Sequence, residues 1–162
     1  MKTYLCKPKN QNKNTKILVL FMTCLAFFLF FLSIRFPQIK AVLQLLTAAL
    51  ILLVIQLSSR FLLTEYRYGF ENGSLILSSR QGRREHHLGS VAITAETKLF
   101  SKDAWEKEKE KFSVRSRFSY CQNLTPEQPY YLLTPEENGT YILLVFEPDE
   151  TLVNLIAAQT AL

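Results

Sequence analysis

Two uncharged apolar runs near the start of the chain, Ile17–Ile34 and Ala41–Leu57, restrict the fold more than any other feature of the sequence. A helix needs about 20 apolar residues to cross the hydrocarbon core of a bilayer, and each run approaches that length. Pro37 lies in the short segment between the runs and disfavours one continuous helix. The pattern therefore predicts two transmembrane helices in an antiparallel hairpin over residues 17–58.

The first run has a competing interpretation as a signal peptide, because a basic tail precedes it. The run is longer than the apolar core of an ordinary signal peptide, and Arg35-Phe-Pro-Gln is a poor cleavage site. Lys16 and Arg35 bracket the run, and their long side chains can reach out of a bilayer to water. We therefore favour a membrane span.

The net charge of +5 is confined to residues 1–16, which contain lysine but no acidic residue. The rest of the chain is neutral, which argues against a nucleic-acid partner. The tail before the first span carries five basic residues, and Arg60 and Arg67 follow the second span. Arg35 and Lys40 in the turn weaken this contrast without reversing it, so we predict a cell-membrane protein with both termini in the cytoplasm. The flanking residues that carry this orientation are Lys2, Lys7, Lys9, Lys13, Lys16 and Arg60.

Three glycosylation sequons, which begin at Asn72, Asn123 and Asn138, favour the opposite orientation, with the C-terminal region in a lumen. Two of them contain Asn-Gly, which is also a signal for a tight turn. We give the distribution of basic residues more weight than the sequons.

Residues 64–162 are polar and carry repeated strand patterns. Asn72-Gly73 predicts a two-residue hairpin turn, and the last strand is apolar on both faces, as expected when both faces are covered. Leu152, Leu155 and Ile156 have the spacing of an amphipathic helix at the end of the chain. The predicted strands, joined in sequential hairpins, are 66–70, 74–79, 84–88, 91–98, 112–120, 129–134 and 141–146.

The segment 100–111 interrupts the strands with charges of alternating sign. As a helix it would pair Glu106 with Lys109 and Glu108 with Lys111, three residues apart. We predict a short exposed helix or a flexible loop, and a solvated charge run explains it better than a binding site does.

The C-terminal region resembles the pleckstrin-homology-like (PH-like) superfold. The resemblance is carried by the segments Thr64–Leu77, Arg80–Glu85 and Tyr141–Glu150, with Val91 and Ile93. With the hairpin included, residues 15–162 are similar to bacterial membrane proteins that join two transmembrane helices to a cytoplasmic PH-like domain. The resemblance implies an α+β membrane protein in which the hairpin precedes an antiparallel β-barrel or sandwich with a C-terminal capping helix, over residues 64–162. It supplies no active-site residues.

Several side chains invite a chemical interpretation. His86 and His87 are adjacent, so in a regular strand they point to opposite faces and cannot share a metal ion unless the strand bulges. Cys6, Cys24 and Cys121 have no metal-ligand or disulfide spacing and indicate free thiols. No linear catalytic or phosphate-binding motif is present, so we expect no enzyme activity, no metal and no cofactor.

The resemblance leaves three functions open. The first is a non-catalytic scaffold or adaptor module that binds a membrane or cytoplasmic protein partner at the membrane surface. The second is a sensor of anionic lipid head groups, because PH-like modules can bind such groups with basic loops; the candidate residues are Arg80, Arg83 and Arg84. The third is an accessory subunit or regulator of a transporter, with Gln44, Thr47 and Gln56 packed against other spans.

Overall fold

The computed structural model of the protein describes residues 4–8, 13–136 and 139–160. The chain divides into two compact units, one formed by residues 11–64 and the other by residues 1–10 together with 65–162. Predictions that fall outside the described residues concern Lys2, Lys9 and the sequon at Asn138.

The first unit is a helical hairpin, as the two apolar runs predict. Helix α1 (Lys13–Arg35) is followed by a 3-10 turn at Pro37–Ile39 and by α2 (Lys40–Leu57), which continues as a π-helical turn over Ser58–Leu63. Both helical segments are long and apolar enough to cross a membrane. Most of their large apolar side chains are exposed, which is the surface that hydrocarbon would cover.

Small and hydroxyl-bearing side chains lie where α1 packs against α2. Ala26 and Ser33 are buried on α1, and Leu43 and Thr47 are buried on α2. The Thr47 hydroxyl donates to the Leu43 carbonyl of its own helix at 2.8 Å. Ala26, Ser33 and Thr47 are small enough to let the two helices pack closely.

The second unit contains two four-stranded sheets. The first has the order β1-β2-β3-β4, and the second has the order β5-β7-β8-β6. The strands of the first sheet are β1 (Tyr4–Cys6), β2 (Thr64–Glu71), β3 (Ser74–Gln81) and β4 (Arg84–Ala92). The strands of the second are β5 (Lys98–Ser101), β6 (Val114–Ser119), β7 (Tyr130–Pro135) and β8 (Tyr141–Phe146).

The sheets do not close into a barrel, so that part of the expectation was wrong. The reason is the path of the chain between β5 and β7. Helix α3 (Lys102–Glu108) carries the chain away from β5, and β6 then pairs with β8 in a parallel direction. α3 leads from β5 to β6 at the opposite edge of the sheet, and the chain then passes through β7 before β8 runs beside β6, whereas the predicted sequence of hairpins would have made every pair antiparallel.

The predicted strands 84–88 and 91–98 are also corrected. One strand, β4, runs from Arg84 to Ala92 and contains a bulge at Leu88, because Ser78 pairs with His87 while Leu77 pairs with Gly89. The bulge keeps the ladder continuous across the glycine that we expected to interrupt it. The short strand β5 begins only at Lys98.

The N-terminal strand β1 was not predicted. Tyr4 pairs with Phe70 and Cys6 with Tyr68 in an antiparallel arrangement, so residues that precede α1 complete a sheet whose next strand follows α2. The Cys6 side chain is 2% exposed and belongs to the main core. The basic tail is therefore partly a structural element of the second unit.

The side chains of β8 alternate between two apolar clusters, as its two apolar faces predict. Leu144 and Phe146 belong to the core between the sheets, which also contains Leu152 and Ile156 of the C-terminal helix α4 (Glu150–Thr160). The opposite face of β8 packs in a second cluster around Trp105 of α3. Both faces of β8 are thus covered.

The charged segment is a helix that buries one residue. Trp105 is 6% exposed and lies parallel to the Tyr131 ring at 5.5 Å between centroids. The predicted pairs are present on the exposed side, with Glu106–Lys109 at 2.6 Å and Glu108–Lys111 at 4.0 Å. Such exposed pairs add little stability, so the tryptophan anchors this helix.

Candidate functional site

The predicted anion site lies at the tip of the β3–β4 hairpin. Gly82 has a φ of +60°, which glycine adopts without strain, and Arg80 donates its Nε–H to the Gly82 carbonyl at 2.8 Å. Arg83 and Arg84 are exposed, and among the described residues neither forms an ion pair. Two guanidinium groups are therefore available to an anion at this tip.

The strand register separates the three arginines. Arg80 pairs with Glu85 and Gln81 pairs with Arg84, so Arg80 and Arg84 point to opposite faces of the hairpin. Arg84 shares its face with Ser79, which is buried toward the core, and Arg80 lies on the outer face with Glu85. The structure brings no pair of these arginines together on one face of the ladder.

Glu85 partly neutralises the outer face. Its carboxylate accepts a hydrogen bond from Ser78 Oγ at 3.1 Å, and Arg67 Nη1 lies 3.5 Å from it. The negative charge of Glu85 disfavours an anion on this face, because like charges repel. Arg83 and Arg84 are therefore better placed than Arg80 to meet an anion at the tip.

The two histidines follow on the same strand. His86 pairs with Ser79 and His87 with Ser78, so both lie on the regular side of the bulge and point to opposite faces. Among the residues that the structure describes, no three His, Cys, Asp or Glu side chains are close enough to hold a metal ion.

The basic residues that flank the helices are exposed on the hairpin unit. Lys13 and Lys16 lie in the first turn of α1, and the π-helical turn that carries Arg60 contacts α1. The Arg60 guanidinium lies 5.4 Å from the centre of the Phe61 ring. Lys7 is also exposed, one residue beyond β1. The three hairpin residues thus lie at the open end of the two helices.

A buried carboxylate that the sequence did not single out joins the end of β8 to the loop after β6. Glu147 is 9% exposed; its Oε2 accepts the backbone N–H of Gln122 at 2.6 Å and that of Asn123 at 3.1 Å. Its Oε1 accepts Asn123 Nδ2 at 2.7 Å. Three N–H donors compensate the loss of water around this buried acid.

The same loop reaches the edge of β2. Gln122 Oε1 accepts the backbone N–H of Tyr66 at 2.9 Å, beyond the point where β1 ends. Gln122 and Tyr66 line a small cavity of about 130 Å³ with Lys7, Pro8 and Glu65. The cavity is too small for a drug-sized ligand, since such sites usually measure about 300–1,000 Å³.

Two outer strands leave a long backbone edge open. β4 and β6 each pair with only one neighbour among the described strands, and most of their side chains are exposed. Phe118 on β6 is 47% exposed and stacks on Tyr120 at 6.5 Å between ring centroids. The alternation of residues 112–120 indicated this strand, but its place at a sheet edge depends on the parallel pairing with β8.

The family model of the bacterial PH-like domain (DUF6106) matches residues 4–161 of the chain. No curated protein and no solved structure matches the chain significantly. The matched range begins with β1 and extends past the last residue of α4, so it includes both units of the structure. The chain therefore belongs to the bacterial PH-like domain family.

Proposed function

We propose that this protein is a non-catalytic interaction module, anchored in the bacterial cell membrane by two spans, that binds a protein partner by adding a strand to an open sheet edge. The observation that carries the proposal is the exposed outer position of β4 and β6. An open edge offers unpaired backbone groups to an extended segment of another chain.

A non-catalytic role is supported by the use of the most buried acidic group. The Glu147 carboxylate is committed to three N–H groups of the 122–123 loop, and it stabilises that loop instead of facing a cleft. A general acid or base would have to reach a substrate proton.

The two-span anchor is supported by the pairing of β1 with β2. β1 precedes α1 and β2 follows α2, yet the two strands share one sheet. This pairing supports a hairpin that begins and ends on the same side of the membrane. The basic residues Lys13, Lys16 and Arg60 favour the cytoplasmic side.

The orientation is tested with introduced cysteines, because the native Cys6 and Cys121 are buried. We expect an impermeant maleimide to label Gln38→Cys in intact cells and to label Arg83→Cys only after the cells are opened. Labelling of Arg83→Cys in intact cells would place the PH-like domain outside and contradict the proposed topology.

The interaction role is tested by crosslinking and mass spectrometry on the full chain in its native membrane. We expect crosslinks to a partner protein from residues on or beside an edge strand, and their loss when Arg117→Pro or Ser90→Pro blocks that edge. Proline removes an N–H and is tolerated on edge strands, so the domain should still fold. Crosslinks that survive both substitutions would refute partner binding by strand addition.

A head-group sensor is a second candidate, favoured by the unpaired arginines at the hairpin tip. It predicts that the full chain in nanodiscs shows slower amide exchange at residues 80–84 in anionic than in neutral lipid, and that salt removes the difference. Arg83→Ala with Arg84→Ala should abolish the effect, whereas Arg115→Ala, which removes an arginine paired with Glu136 at 3.0 Å, should not.

A further inference from the structure

The outer edge of β6 carries an apolar face that continues the core between the two sheets. In the parallel pair, Phe118 lies beside Leu144 and therefore points to the same side as that core residue. Because β6 is the last strand on this side of its sheet, no described strand covers Phe118. The core between the two sheets therefore ends at the exposed ring of Phe118.

Neighbouring rings hold this face in place. Phe118 stacks on Tyr120 with ring planes 14° apart, and Tyr120 meets the Tyr66 ring edge-on at 6.1 Å. Tyr66 and Tyr120 are themselves half-buried against the core. A partner would therefore meet a preformed row of aromatic side chains, which lowers the cost of ordering on binding.

The opposite face of β6 is basic. Arg117 lies beside Leu143 and points away from Phe118, and among the described residues its exposed guanidinium forms no ion pair. Glu106 of α3 is bound by Lys109 at 2.6 Å, and Lys109 is the main cause that lowers the pKa of this carboxyl group, to which the charge of Arg117 also contributes. A partner residue that faces Arg117 would gain from a negative charge.

The backbone of β6 can pair with a further strand. Tyr120 donates its N–H to the Val145 carbonyl at 2.8 Å, and in a parallel pair only every second residue bonds to the same neighbour. Arg117, an odd number of residues from Tyr120, therefore turns its backbone N–H and C=O toward the open edge. The bulge at the Val114/Ser116 step lies at the start of β6 and leaves the rest regular, whereas the bulge of β4 interrupts its middle.

We propose that the β6 edge is the binding surface of this protein, and that it takes an extended acidic segment of a partner in which apolar and acidic residues alternate. The apolar side chains of the segment cover Phe118 and Tyr120, and the acidic ones face Arg117. The inference rests on the proposed function and assigns its edge and the chemistry of its partner. A second copy of this chain fits poorly, since pairing two β6 edges would bring two Arg117 side chains to the same face.

The test uses the full chain in phosphatidylcholine nanodiscs and two blocked, fluorescent peptides of about eight residues, which lies within the usual range of strand lengths. One alternates Val with Glu and the other alternates Val with Lys. We expect saturable binding of the Val–Glu peptide only.

Two variants test the residues that carry the proposal. Phe118→Ala should weaken the affinity for the Val–Glu peptide about tenfold or more, as truncation of a central aromatic does. Arg117→Glu should reverse the preference toward the Val–Lys peptide. Both residues are exposed, so their replacement should leave the thermal unfolding curve unchanged.

Matched variants on β4 separate the assignment of the β6 edge from the general proposal of strand addition. These variants are Leu88→Ala and Arg84→Glu. Binding that depends on the β4 residues and ignores the β6 residues would overturn the β6 assignment and leave strand addition standing. Failure of both peptides to bind would overturn both the assignment and the proposed function. A dimer in light scattering that Phe118→Ala dissociates would replace the acidic segment with a second copy and overturn the proposal as well.

Discussion

The Tyr4 hydroxyl donates a hydrogen bond to the Asp149 carboxylate and so ties the strand that precedes the helical hairpin to the start of the last helix. Asp149 Oδ1 also accepts the Leu152 N–H at 2.9 Å, in the position of a helix cap. One carboxylate thus joins the two ends of the PH-like unit.

A chain that begins at residue 64 should be less stable than the complete unit. It lacks β1 and therefore loses the buried Cys6 side chain, the Tyr4–Asp149 bond and the strand pairs to β2. We expect a lower urea midpoint for residues 64–162 than for the same chain with residues 1–10 joined to Thr64 by a flexible Gly-Ser linker. The matched control is Leu5→Ala in the joined chain, because Leu5 is 53% exposed and should leave the midpoint unchanged. Equal midpoints for the short and joined chains would mean that β1 contributes nothing.

Asp149 should make the free energy of unfolding depend on pH in the acidic range. Burial disfavours the carboxylate, but the hydrogen bonds from Tyr4, the Leu152 N–H and Cys6 outweigh it, so the pKa lies below the usual 3.8. A lowered pKa in the folded state gives stability that is fully present above the unfolded value and is lost as the pH falls through the folded one. In urea titrations, Asp149→Asn should remove part of the loss below about pH 4 while retaining a capping side chain. A parallel loss of stability in both proteins would exclude Asp149 as its source.

The charged helix should depend on Trp105 far more than on its ion pairs. Trp105 lies between Tyr131 and Phe112, with ring centroids 5.5 and 6.4 Å away. We expect Trp105→Ala to lower the free energy of unfolding by about 3–5 kcal/mol. Lys107→Ala, on the exposed side of the same helix, should change it by about 0.5 kcal/mol or less. Thermal or urea unfolding of the full chain in detergent compares the two.

The sequence correctly predicted those elements that depend only on residues close to one another along the chain. Ile17–Ile34 and Ala41–Leu57 are apolar enough to give helices, Asn72-Gly73 forms the turn between β2 and β3, and the two faces of Tyr141–Phe146 are both buried. The failures concern pairings between distant segments. β1 is only three residues long, and the apolar residues of Tyr4-Leu5-Cys6 in a polar tail were its single signal.

The open β6 edge could not be predicted either, because it depends on the pairing of segments that are distant in the sequence. The alternation over 112–120 indicates a strand, but it contains no information on whether the neighbour is parallel or antiparallel. The bulge at the Val114/Ser116 step also reverses the faces, so Val114 packs toward Trp105 while Tyr120 packs toward the core between the sheets. Buried Glu147 was missed because two of its three donors are backbone N–H groups, which no residue pattern identifies, and the third, Asn123, is distant in the sequence.

Cys6 should be unreactive in the folded protein. Burial is the main cause that raises its pKa from 9.0 to about 11, so the thiol stays protonated at neutral pH. A pKa raised in the folded state gives stability that is present below pH 9 and is lost as the pH rises toward 11. At pH 8 a water-soluble maleimide should label Cys6 many times more slowly than an introduced Arg83→Cys, as mass spectrometry of the peptides would measure. Comparable rates would mean that β1 detaches from β2 in the native state.

Replacement of the buried carboxylate should loosen the loop between β6 and β7. Glu147→Gln keeps the size of the side chain but exchanges one acceptor oxygen for an NH₂ group, which would face N–H donors of Gln122 or Asn123. Because hydrogen bonds to charged groups contribute about 1.5–3 kcal/mol, we expect a loss of that order in the free energy of unfolding. Glu110→Gln, at an exposed position beyond α3, is the matched control and should be nearly neutral. Faster amide exchange at Gln122 and Asn123 in Glu147→Gln alone would locate the effect in this loop, whereas unchanged exchange would show that the carboxylate does not hold it.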